Sequence, residues 1–115
     1  MTLAEMTTML KSINGFESKV AYRDFPESAA PTLPFICFID TPAVVFHADN
    51  INYYTQPTYQ VELYEKHRDP TTELLLESKF DAQNLTYTRN VTYLDTEKCW
   101  MIAYTMTTRG ENTNG

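Results

Sequence analysis

The residues of this chain with the strongest claim on chemistry are two His-x-Asp pairs, His47-Ala48-Asp49 and His67-Arg68-Asp69. Two imidazoles and two carboxylates form a cation site if a fold brings them together. Residues two apart on an extended strand do share a face. Spacing alone does not build such a site, however, and Asp69 has a competing role directly before Pro70, where it can cap a helix. Neither a metal site nor a catalytic residue is therefore expected.

Other chemical signatures fail on simpler grounds. His67-Arg68-Asp69 matches a kinase catalytic-loop tripeptide, but the chain has only 115 residues and lacks the glycine-rich loop and strand lysine that would give it meaning. Its three glycines, at 15, 110 and 115, build no phosphate cradle, and no serine stands in a nucleophile elbow. An enzyme and a bound cofactor are both unexpected. Asn84-Leu85-Thr86 and Asn90-Val91-Thr92 match the N-glycosylation sequon, which has no consequence without secretion. Glu73, Glu77 and Asp81 recur every four residues on one helical face. That face is either solvated or complementary to a basic partner.

The elements that would carry these residues follow from patterning. Thr2-Leu3-Ala4-Glu5 is a capping box, and Leu3, Met6, Leu10 and Ile13 recur at helical spacing, giving a helix over about 3–13 that stops at Asn14-Gly15. A short strand is expected over 19–23. The stretch 25–34 holds three prolines and is expected as a loop or extended arm. Phe35–Ile39 is a continuous apolar strand. Residues 43–48 and 51–54 flank the turn pair Asp49-Asn50 and make a hairpin that projects from the core. Tyr59, Val61 and Leu63 alternate with Gln60, Glu62 and Tyr64 as a half-buried strand. Asp69-Pro70 opens a second helix with Leu75, Leu76 and Phe80 on its apolar face. Two further strands, 85–93 and 99–106, form a hairpin expected at the centre of the sheet. The order α-β-β-(β hairpin arm)-β-α-β-β is α+β: two helices on one face of a mainly antiparallel sheet, in a single domain over 1–115 whose last residues, about 109–115, fray.

Composition narrows the function classes. A net charge of −6 and a pI near 4.7 argue against a nucleic-acid reader, which needs basic groups to neutralise phosphate. An acidic wall instead lets DNA pass without sticking. Cys37 and Cys99 each lie in an apolar run and are expected as buried free thiols, with a disulfide open only if their strands are neighbours. The amphipathic N-terminus lacks a basic n-region, and no apolar run approaches the ~20 residues of a membrane span, so a soluble protein of a reducing cytoplasm is expected. Tyr53, Tyr54, Tyr59 and Tyr64 cluster along one arm and strand, as packing or as an oligomer contact.

Phe46-His47-Ala48-Asp49-Asn50 with Tyr53-Tyr54 after it, the strand Tyr59-Gln60-Val61-Glu62-Leu63-Tyr64, and Asp69-Pro70 occur in an order that resembles the tail-terminator and tail-completion proteins of long-tailed, siphovirus-like bacteriophages and prophages. Glu97 supports the likeness, which runs from the first helix to Met106. The resemblance implies a structural protein of the virion, made in the bacterial host cytoplasm. Such proteins form a ring, commonly a hexamer, at the head-proximal end of the tail, where they stop tube polymerisation and join tail to head. The implied partners are other copies of the chain, the tail-tube protein and the head connector or completion protein, with DNA only as passing cargo and no membrane. The interface residues on this reading are Phe46, Asp49, Asn50, Tyr53, Tyr54 and Tyr64. Two alternatives stand beside it: a different head-tail connector component, or a small ligand-binding or enzymatic α+β domain using His47 and His67.

Overall fold

A computed structural model describes residues 2–25, 31–46 and 53–108, with the side chains of 41–46, 53–58 and 107–108 outside the description. Helix α1 spans Leu3–Lys11, strand β1 Val20–Tyr22, β2 Phe35–Phe46, β3 Tyr53–Glu65, helix α2 Pro70–Ala82, β4 Leu85–Leu94 and β5 Cys99–Thr108. Sheet order is β1-β2-β3-β5-β4. Every pairing is antiparallel except β1 with β2. The class is α+β.

Local chemistry sets the helix starts. Thr2 Oγ1 accepts from the Glu5 amide at 3.1 Å, and Glu5 accepts from the Thr2 amide at 2.8 Å, so both members of the capping box are made. The helix ends at Lys11, two residues short of the expected boundary, and Gly15 takes φ +95° in the turn beyond it. Asp69 Oδ1 accepts from the amides of Thr71 and Thr72, and Pro70 opens α2 where a missing N–H costs nothing. Asn84 leaves the helix at φ +59°, a conformation that asparagine tolerates better than most residues.

Strand alternation then assigns the faces. Val20, Ile36, Phe38, Tyr59, Val61, Leu63, Ile102, Tyr104 and Met106 form one buried layer with Met6, Leu10 and Ile13 and with Leu76 and Phe80 of α2. Both helices thus cover the same face, as the pattern indicates. Three details differ from the sequence reading. Leu75 does not face the core; it is 45% exposed, and the buried positions of α2 are Glu73, Leu76 and Phe80, which recur at three and four residues. The β4–β5 hairpin is not central, because β4 is the rim strand. The described part of the arm is not a separate pair of strands: β2 continues from the sheet to Phe46, and β3 runs from Tyr53 back into it.

Cys37 and Cys99 are free and buried. Their strands, β2 and β5, are separated by β3, so the condition for a disulfide is not met. Burial pushes the Cys37 thiol up to about 11 and raises that of Cys99, which keeps both as inert packing groups.

Candidate functional site

The longest feature of the molecule is the β2–β3 ladder. Its register runs in step from Phe35↔Tyr64 to Phe46↔Tyr53. The neighbours stop early: β1 pairs no further than Phe38, and β5 no further than Thr58. Among the described residues, the two strands pair only with each other from Pro42↔Pro57 outward. At 3.3–3.4 Å per residue this ribbon runs on for about 15 Å. The molecule is correspondingly elongated, 49 × 28 × 23 Å.

Two opposed prolines mark the base of the ribbon. Residues directly opposite in an antiparallel pair either bond each other or both turn their polar groups outward. Proline has no N–H to exchange, so Pro42↔Pro57 belongs to the outward-turned class. The parity agrees: four residues back, Phe38 turns its carbonyl outward to the Arg23 amide at 2.7 Å, and Ile36 its N–H to the Lys19 carbonyl at 2.8 Å. Each edge of the ribbon thus loses a donor where it leaves the sheet, which blunts both against a third strand.

Of the residues assigned to an interface, Phe46 and Tyr53 pair across the last described rung of the ribbon, and Tyr54 pairs with Val45. Asp49, Asn50 and His47 lie outside the described residues. Tyr64 is not on the ribbon. It sits at the opposite end of β3, stacked on Phe35 at 5.1 Å, and its hydroxyl donates to Glu62 at 2.7 Å. The four tyrosines do not form one cluster. Tyr59 is 2% exposed in the core, whereas Tyr64, five positions on, points to the other face of the sheet.

Among the described residues, that other face carries no helix. Phe25 meets Phe35 edge-on at 5.4 Å, and Phe25, Phe35, Tyr64, Leu94 and Met101 line an open depression of about 630 Å³ with Arg23, Asp24 and Glu97 at its polar parts. His67 does not line it. His67 is exposed, Asp69 is used as a helix cap, and no group of three or more metal-ligating side chains occurs among the described residues. The His-x-Asp pairs are thus not assembled into a site by anything described.

A second cluster was not read from the sequence. Glu73 is 3% exposed and receives two hydrogen bonds from Arg68, Nε at 2.8 Å and Nη2 at 2.9 Å. Arg89 of β4 reaches both Glu73 at 3.3 Å and Glu77 at 3.0 Å, and the Tyr104 hydroxyl donates to Glu77 at 2.7 Å. Glu73 and Glu77 are therefore neither a solvated acidic face nor a patch for a basic partner; the arginines of the chain itself take them. The Arg68 guanidinium holds the Glu73 carboxyl below the usual carboxylate range. Glu65 lies beside it, 2% exposed, accepting the Asp69 amide through one oxygen at 3.3 Å while the other faces no donor. Burial first, then the neighbouring Glu73, push Glu65 up to about 8, so at neutral pH it holds a proton and can donate it toward Glu73. A signal for this cluster does exist in the sequence. Glu65 and Arg89 fall in phase with Tyr59, Val61 and Leu63 and with Tyr87 and Val91, on the strand face that goes inward.

No helix of the described residues is long and apolar enough to cross a membrane. Compared with known proteins, the chain matches no protein-family model and no curated protein.

Proposed function

We propose that this chain is an assembly protein that acts by shape: a subunit of a ring at the head-proximal end of a phage tail, ending tube growth and joining tail to head. The observation that carries this reading is the ribbon beyond Pro42↔Pro57, which extends past both neighbouring strands and presents the Phe46↔Tyr53 rung away from the core. A closed ring needs two different patches per subunit that meet head to tail. The ribbon supplies one, and the helix-free sheet face with Phe35, Tyr64 and Met101 is a candidate for the other. The acidic balance of the chain suits a channel through which DNA moves without adhering. The order of motifs that resembles tail-completion proteins supports the same reading. The rival use of His47 and His67 as ligands has less to stand on, since His67 is exposed and Asp69 is engaged as a cap.

The test is electron microscopy of the full chain, alone and with purified tail tubes. Rings of uniform subunit number, or a cap at one tube end, are the expected result. Tubes that polymerise and end as they do without the protein would overturn the reading.

A further inference from the structure

Among the described residues, β4 is a rim strand ten residues long, and its outer edge differs from every other edge of the sheet. The ribbon is blunted by Pro42 and Pro57, and β1 is only three residues long. By contrast, β4 reads Leu-Thr-Tyr-Thr-Arg-Asn-Val-Thr-Tyr-Leu, with no proline, no glycine and one charge. That charge, Arg89, is engaged with Glu73 and Glu77. A long strand of β-favouring residues with nothing to repel a neighbour is a pairing template.

Backbone parity fixes which groups are on offer. The Ile36 N–H points to β1, so Leu63 opposite it points to β5, and Ile102 opposite Leu63 points to β3. Met101 and Ala103 therefore bond Thr92 and Asn90 of β4. What remains turned outward is the backbone of Leu85, Tyr87, Arg89, Val91 and Tyr93.

The sequence of that edge is nearly its own reverse about Asn90. Tyr87 mirrors Tyr93, Thr88 mirrors Thr92, and Arg89 stands against Val91. We propose that β4 is a self-pairing edge: two copies of this chain join β4 to β4, antiparallel about Asn90, into one continuous sheet with all helices on the same side. In this register outward backbone meets outward backbone, and tyrosine faces tyrosine, threonine faces threonine and asparagine faces asparagine. A slip of one residue would set outward groups against inward ones. The register about Arg89 would oppose two guanidinium groups. Such a two-fold contact closes with two copies, so it is separate from the head-to-tail contact of a ring and goes beyond the reading above.

Asn90 is exposed, and its own backbone groups bond β5, so side-chain changes there leave the ladder intact. The full chain is measured by sedimentation equilibrium from micromolar to millimolar concentration, as wild type, Asn90→Lys and Asn90→Asp. The wild type is expected to reach twice the 13.3 kDa of the chain. Each charged variant alone should associate about tenfold more weakly or worse, and an equimolar mixture of the two should recover the pair, since like charges oppose at the two-fold and unlike charges attract. Circular dichroism checks that both variants fold. As a second readout, Asn90→Cys should give a disulfide-linked pair on oxidation, because its position is of the closely spaced class and both native cysteines are buried. Wild type at single-chain mass throughout, variants with unchanged association, or no cross-link through Cys at 90 in a folded variant would each overturn the proposal.

Discussion

At Glu65 a carboxyl group sits at the end of a core strand, 2% exposed, with Glu73 beside it and one oxygen facing no donor. Its neutral form is favoured by burial and then by Glu73, whereas Glu73 stays charged because Arg68 grips it with two hydrogen bonds. The two carboxyls therefore contribute opposite pH dependences. Glu65 is raised from 4.5 to about 8, so the folded state binds a proton that the unfolded state has released between those values. Its stabilising contribution is complete below pH 4.5 and is lost as pH rises through about 8. Glu73 is lowered, so its contribution is present above the unfolded value and is lost as pH falls. Denaturant titrations of Glu65→Gln against wild type test the first sign. The variant should flatten the decline between pH 5 and 9 and at pH 9 should be more stable by on the order of 1–3 kcal/mol, the usual cost of a buried group left unsatisfied. An unchanged slope would mean that another group titrates in that window.

At the scale of elements, α2 separates what sequence patterning resolves from what it does not. Asp69-Pro70 marked its start because capping is local chemistry: an acceptor for orphan amides, then a residue that needs no donor. Asp69→Ala should cost about 1 kcal/mol by thermal unfolding. The run Leu74-Leu75-Leu76 is different, since three adjacent leucines cannot all face inward and the sequence does not say which does. Packing against the sheet decides: Leu76 is fully buried, while Leu74 and Leu75 are 65% and 45% exposed. Leu76→Ala should therefore cost about 2–5 kcal/mol, whereas Leu75→Lys should stay within about 0.5 kcal/mol of wild type. Equal losses at the two positions would mean that the exposed leucines are covered in solution. The strands show the same division. Alternation in Tyr59-Val61-Leu63 placed the core face, and the two helix-face partners of the sheet followed. The central position given to the β4–β5 hairpin was not legible, because strand order depends on which edge β3 takes, and a period of two is the same at the rim as at the centre. Glu65 and Arg89 carry charge, which argues for solvent, and a strand phase that argues for the core; burial in the fold shows that phase wins at Glu65.

For the whole molecule, the ribbon is set apart by its backbone pairing. Among the described residues, β2 and β3 beyond the Pro42↔Pro57 rung pair with each other and with no other strand, whereas on the sheet side β1 pairs as far as Phe38 and β5 as far as Thr58. A ribbon without a neighbouring strand can be shortened without breaking the ladders that join the five strands, so assembly and stability can be tested separately. A chain in which a two-residue turn replaces 43–56 should fold cooperatively, with a Tm within a few degrees of wild type, because the cut lies beyond every rung at which β1 or β5 pairs. The milder changes Phe46→Asp and Tyr53→Ala, on the last described rung, should also unfold as the wild type does. All three should fail to form rings or to cap tail tubes under the microscope. If the shortened chain still assembles, the ribbon is not a contact surface and the helix-free face must carry assembly. If it no longer folds, side chains of the ribbon return to the core, and Phe46→Asp with its fold intact becomes the deciding variant.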